Sequence, residues 1–213
     1  DYNENGIVTQ EVNRAEEENE TGDNIEANLN FRRTFKSDEQ LLTADVRWFT
    51  RGDLELADLL EAGDDYTLSQ RTENLESNRN WLIQTDYVHP FSENVRLETG
   101  LKATLRRINN DYQVEQFNDS TQWEILERFN NNFVFDENVY AAYLLASGKI
   151  KRFSIQGGVR AEYSDITTEL TETNEKNRQQ YISFFPSAHL SYEFASNNSI
   201  QLSYSRRISR PRY

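Results

Sequence analysis

The sequence contains no cysteine and no methionine, and among its 213 residues only 3 are proline, 8 glycine and 2 histidine. Without cysteine there is no disulfide framework and no thiolate metal site. His89 and His189 are too few for a conventional His-rich metal cluster. No stretch approaches the eighteen or so uncharged apolar residues of a spanning helix, which excludes a helical membrane protein. Positive charge is also scarce: 23 Lys and Arg stand against 36 Asp and Glu, a net charge of -13. That balance argues against a nucleic-acid partner, whose binding relies on neutralising phosphates. No leader peptide and no initiator Met is visible, so a piece of a longer precursor is expected.

What the chain does have is alternation. In the run from Glu93 to Arg106, Val95, Leu97, Thr99, Leu101, Ala103 and Leu105 share one parity. Arg96, Glu98, Gly100, Lys102, Thr104 and Arg106 share the other. This is a β-strand with one apolar and one charged face. A dozen residues is long for a soluble strand and matches a tilted strand crossing a bilayer. The mean hydropathy of -0.85 is no obstacle, because only every second residue of a barrel wall meets lipid. Aromatics at 12% suit interfacial girdles and a soluble β-sandwich alike.

The pattern repeats as strand, short turn, strand, long polar segment. Ile25, Ala27, Leu29, Phe31 and Phe35 lead to a turn at Lys36-Ser37-Asp38-Glu39, and Leu42, Ala44, Val46 and Trp48 return. A polar loop is expected over about 51–79, with one or two helical turns between Leu54 and Leu60. Trp81, Ile83, Thr85 and Tyr87 descend to a turn at Ser92-Glu93-Asn94, and the opening strand rises from it. After a second loop over about 107–132, Phe135, Val139, Ala141, Tyr143 and Leu145 are expected on one apolar face. Ser147-Gly148-Lys149 reads as the next turn. Phe153, Ile155, Gly157, Val159, Ala161 and Tyr163 follow, opposite Gln156, Arg160 and Glu162. A third loop spans about 165–180. Ile182, Phe184, Ala188, Leu190, Tyr192 and Phe194 descend to Ser196-Asn197-Asn198-Ser199, from which Ile200, Leu202 and Tyr204 start the last strand. Gly6 to Asn13 reads as the tip of an earlier strand. The expected fold is all-β: an antiparallel transmembrane barrel wall of about eight strands, with short periplasmic turns and long extracellular loops. Residues 1–213 form part of one domain. Arg33 and Arg206 strain the scheme, since both take the lipid-facing parity.

The last third carries a resemblance. Val139-Tyr140-Ala141-Ala142-Tyr143, Gln156-Gly157-Gly158-Val159-Arg160-Ala161-Glu162-Tyr163, Phe185-Pro186-Ser187-Ala188-His189-Leu190-Ser191-Tyr192 and Leu202 through Pro211 follow in order. Together with Tyr87-Val88-His89-Pro90-Phe91, they resemble the barrel region of TonB-dependent receptor-like proteins of the Bacteroidetes outer-membrane β-barrel family. The resemblance covers most of 25–213. It implies a barrel of about twenty-two strands around a plug, in the bacterial outer membrane. The plug and the TonB box are not recognisable in this chain. The implied partners are outer-membrane lipid, the plug, the TonB system acting through it, and a surface lipoprotein.

Candidate sites reduce to charged clusters. Glu16, Glu17, Glu18, Glu20 and Asp23 form one acidic cluster. Asp53, Glu55, Asp58, Glu61, Asp64, Asp65, Glu73 and Glu76, with Arg71 as their one cation, form another. Neither has calcium-loop spacing, so a solvated surface is the favoured reading over Ca²⁺ or a cationic ligand. Arg206, Arg207, Arg210 and Arg212 suit wall pairing better than an anion site. His89 is expected at the membrane interface, and His189 on the inner wall with a hydrogen bond. No Gly-x-Ser-x-Gly, His-Glu-x-x-His or phosphate loop occurs, so no catalytic, cofactor or metal residue is assigned and an enzyme is not expected. No ligand-binding residue is assigned either. The expected function is ligand uptake as part of a receptor wall. The alternatives are a non-transporting scaffold barrel and a complete eight-stranded adhesin or channel.

Overall fold

A computed structural model describes residues 12–35, 39–120, 122–194 and 198–208. They form one antiparallel sheet in the order β1-β2-β3-β4-β6-β7-β8-β9, with β5 attached to β4. The strands are β1 Asn13–Thr34, β2 Leu41–Ala62, β3 Thr67–Ser92, β4 Val95–Asn118, β5 Gln122–Ile125, β6 Asn131–Ile150, β7 Phe153–Leu170, β8 Glu175–Glu193 and β9 Ser199–Ser205. Consecutive strands pair with their neighbours, as short connections dictate. Among the described residues β1 and β9 end the path and do not pair with each other.

One face of the sheet is an apolar band left in the open. Leu29, Trp81, Ile83, Leu101, Tyr140, Leu144, Ile155, Val159, Ile182, Phe184, Leu190 and Leu202 all lie on it and are exposed. Such a surface is stable only against lipid or another apolar layer. Aromatic rings bound it at both ends. Trp48 and Trp81 stand 6.1 Å apart and Tyr140 and Tyr163 6.4 Å apart at one rim. At the other rim Phe35 meets Tyr87, His89 meets Phe91, and Tyr192 sits between Phe153 and Phe194. The ten steps from Phe153 to Tyr163 on β7 cover about 33 Å of strand, or about 25 Å of height at a 40° tilt. That is the hydrocarbon height a barrel spans.

The opposite face is polar, and the most buried side chains sit on it: Ile108, Val114, Phe135, Val139, Ala141, Glu162 and Ser164. Curvature explains this, because side chains on a concave face shield one another while those on a convex face splay. The polar face is therefore the inside of the wall.

Four sequence expectations change. The segments read as loops over about 51–79, 107–132 and 165–180 are mostly strand, turning only at 63–66 and 171–174 and through the β5 region. Beyond the membrane both faces meet water, so apolar alternation fades while the hydrogen-bond ladder continues. Leu54 to Leu60 accordingly lie in β2 and not in a helix. The turn assigned to Ser147-Gly148-Lys149 lies at Lys151-Arg152, with Lys151 at φ 56°. Finally, Val139, Ala141, Tyr143 and Leu145 pair with Thr104, Lys102, Gly100 and Glu98, which puts them inside. Tyr140, Ala142 and Leu144 take the lipid face. The turns at 36–38 and 195–197, most of Gly6 to Asn13, and Arg210 and Arg212 lie outside the described residues.

Candidate functional site

Register aligns the inner side chains into rows across the strands. One row runs Asn30, Asp45, Gln84, Lys102, Ala141, Glu162, Ser183; the next runs Arg32, Thr43, Asp86, Gly100, Tyr143, Arg160, Phe185. Within them, Asn30 donates its side-chain amide to Asp45. Arg160 is 2.6 Å from Glu162. Two rows further out, Arg106 pairs with Glu137 at 3.1 Å and stacks 5.0 Å over Phe135. Arg47 donates to Asn28 at 2.9 Å. The Arg160–Glu162 and Arg106–Glu137 ion pairs, both partly buried, fix side-chain positions more than they stabilise the fold.

The tightest packing on this face is a three-strand contact. Tyr143 on β6 donates its hydroxyl to Asp86 on β3 at 2.6 Å, passing over β4. The crossing needs a residue without a side chain at position 100. A Cβ on Gly100 would lie 2.4 Å from the Tyr143 ring and 2.7 Å from the Thr85 carbonyl oxygen. Gln84 donates to the other oxygen of Asp86 at 2.7 Å.

Nearer the extended end the inner face divides. Glu20 stands opposite Glu55, and Asp53 opposite Glu76, with Arg51 2.6 Å from Asp53. Across β4 to β7 the same height carries Ile108, Tyr112, Phe133, Phe135 and Ile166. Apart from Asp64 and Asp65 in the 63–66 turn, the acidic clusters thus belong to strands, and Arg51 is a second cation among them; Arg71, on the outer face, pairs with Glu115 and lies over Trp123. Among the described residues no group of three acidic or histidine side chains is placed to hold a metal.

The remaining sequence candidates fall at separate places. His89 is an interfacial ring, 3.1 Å from the Tyr87 hydroxyl through Nδ1. His189 is on the inner face opposite Gln156 and Ser203. Arg33 lies 5.0 Å over the Phe35 ring, so its head sits at the aromatic rim. Arg206 follows the end of β9, where its N–H still bonds the Pro186 carbonyl. On the outer face beyond the band, Arg178 and Gln180 hold the Asp165 carboxyl down to about 2, with Arg178 bonding it at 2.9 and 2.6 Å. Sequence reading did not single out this cluster, nor the Asp86–Gly100–Tyr143 contact. Cross-strand register, the information both require, is invisible without knowing where each hairpin turns.

Residues 33–213 match the profile of the outer membrane protein beta-barrel family. No curated protein matches the chain. Among solved structures, the ferric citrate transporter FecA in its unliganded form aligns with a TM-score of 0.54 at 13% identity, over 82% of this chain and 25% of that one. The ferric yersiniabactin uptake receptor FyuA from Yersinia pestis aligns at 0.41 and 11% identity, over 73% and 26%. The FrpB iron transporter from Neisseria meningitidis aligns at 0.42 and 10%, over 85% and 36%. The chain spans about a quarter to a third of these structures. At such identity the first of them speaks for the fold alone.

Proposed function

The chain belongs to the outer-membrane protein β-barrel family, and from that premise we propose that it forms part of the wall of a TonB-dependent receptor. It resides in the bacterial outer membrane. The open face meets lipid, and the short-turn end is periplasmic, because barrels carry their long excursions outside the cell. In this reading its strands are about eight of some twenty-two. A plug from elsewhere in the same polypeptide fills the lumen and answers to TonB. The long outer strands bring ligand to the plug.

The observation that carries the proposal is the inner face. A closed eight-stranded barrel has an interior only wide enough for its own side chains. Here Arg47, Lys102, Arg106, Glu137, Tyr143, Arg160 and Glu162 share that face, a set of long and charged groups suited to a wide, wet lumen. The free outer edges of β1 and β9 favour the large barrel over a small complete adhesin or channel, since exposed edges demand partners.

A photo-crosslinking residue at Lys102 in the full-length protein tests this. An internal cross-link to a segment outside 1–213 is the expected product, with none from Leu101. A Lys102 probe that captures only water or periplasmic solutes would contradict the plugged receptor and favour an open scaffold.

A further inference from the structure

The outer face above the apolar band carries one unusual arrangement. Arg79 on β3 and Arg107 on β4 stand directly opposite each other in register. Among the described residues no other ladder position sets two cations face to face. Directly opposed like charges in a sheet repel, so such a pair implies a compensating anion. The protein does not supply one fully. The other cations at this end of the outer face have close carboxylates: Arg71 has Glu115, Arg178 has Asp165 at 2.6 Å, and Lys176 has Glu169 at 2.7 Å. Arg107 has only Asp136 at 3.8 Å, beyond hydrogen-bond distance. Arg79 has no ion pair or side-chain hydrogen bond among the described residues. Both side chains are exposed.

The height of the pair identifies the anion. Arg79 is two residues beyond Trp81, and Arg107 two beyond Leu105, on the same face. Two residues are about 7 Å along a strand, or about 5 Å of height at barrel tilt. Trp48 and Trp81 mark the boundary where aromatic rings sit among lipid headgroups. The guanidinium pair therefore lies in the headgroup layer of the outer leaflet, with the Thr50 hydroxyl on the same face opposite Arg79. Guanidinium forks match phosphate oxygens two at a time.

We propose that Arg79 and Arg107 form a binding site for a phosphorylated headgroup of an outer-leaflet lipid. The lipid's acyl chains lie along the apolar band below, over Trp81, Leu105 and Ile83. Its phosphate bridges the two guanidinia and relieves their repulsion. In a chain of net charge -13, this pair gives an anionic lipid a local foothold.

The test uses the full-length protein extracted from the outer membrane and titrated in mixed micelles. The probes are diphosphoryl lipid A, the same lipid with its phosphates removed, and inorganic phosphate. Wild type should bind the diphosphoryl lipid, and the Arg79→Gln/Arg107→Gln variant should bind it at least about tenfold more weakly. The dephosphorylated lipid should bind wild type no better than the variant binds the intact one. Arg178→Gln, which removes an already paired cation, should bind like wild type. Equal binding by wild type and the double variant would overturn the site. Inorganic phosphate binding as tightly as the lipid would overturn the lipid assignment. If the double variant fails to insert, Arg79→Gln alone gives the same comparison at smaller amplitude.

Discussion

Replacing Gly100 with alanine probes the inner wall at its tightest point. The added Cβ would sit 2.4 Å from Cε1 of Tyr143 and 2.7 Å from the Thr85 carbonyl oxygen. The ring can swing aside, but the carbonyl moves only with β3. Overpacking of this kind costs about 1–3 kcal/mol. If Tyr143 swings away, its 2.6 Å bond to Asp86 is lost, for about a further 1.5–3 kcal/mol because the acceptor is charged. Alanine reduces unfolded-chain entropy relative to glycine, which offsets about 0.4–1 kcal/mol. The net expectation is about 1.5–5.5 kcal/mol of destabilisation. Tyr143→Phe removes only the hydrogen bond, and Asp86 keeps Gln84, so its cost should be the same about 1.5–3 kcal/mol. The two losses overlap, and Gly100→Ala should cost less in a Tyr143→Phe background than alone. Urea unfolding of the full-length protein in lipid bilayers, followed by tryptophan emission, reads all four corners of the cycle. A neutral Gly100→Ala, or strict additivity, would refute the crossing of Tyr143 over β4.

Three further outcomes are expected. Leu101→Arg, at the middle of the lipid face and 60% exposed, should cost about 2–4 kcal/mol in the same unfolding assay, whereas Lys102→Arg on the inner face should change stability by no more than about 0.5 kcal/mol. Lys151→Gly should stabilise the β6–β7 turn by up to about 1 kcal/mol, because Lys151 holds φ 56° against a left-handed penalty of about 1–2 kcal/mol that glycine escapes at a smaller entropic cost; equal or lower stability would mean that the turn is not left-handed there. The Asp165 carboxyl is depressed from its ordinary 3.8 to about 2 by Arg178 and Gln180, so its contribution is present above the ordinary value and lost as pH falls through the depressed one. The protection of amides at the outer end of β7 and β8, measured as hydrogen exchange relative to the intrinsic rate at each pH, should therefore fall between about pH 4 and 2 in wild type, and an identical profile in Asp165→Asn would remove the ion pair from the account.

The sequence reveals the wall where lipid and water impose opposite demands on its two faces. Val95 to Arg106 alternates cleanly, and the structure keeps that parity; the same holds for Phe153 to Tyr163. Alternation fails on β6, where Val139, Ala141, Tyr143 and Leu145 are as apolar as Tyr140, Ala142, Leu144 and Ala146. Only pairing to β4 decides which set faces in, and the decisive partner is Gly100, which leaves room for Tyr143. Above the membrane, Asp53 to Glu76 looks like a loop because water bathes both faces, yet Ala62-Gly63-Asp64-Asp65 signals its actual turn. Arg79 and Arg107 sit at the ends of segments read as loops, so their opposition needed the ladder to become visible.

The β6 parity also gives the most direct test of the central claim that this sheet is an outer-membrane wall with a polar inside. A nitroxide placed singly at each position from Asn138 to Ala146 in the full-length protein, reconstituted in bilayers, reports exposure to oxygen in lipid and to a water-soluble nickel chelate. Tyr140, Ala142 and Leu144 should be oxygen-accessible and chelate-shielded, in phase with Leu101 and Ala103 on β4, while Val139, Ala141 and Tyr143 show low oxygen access. Oxygen access peaking at Val139, Ala141 and Tyr143, or no two-residue period on either strand, would contradict the account.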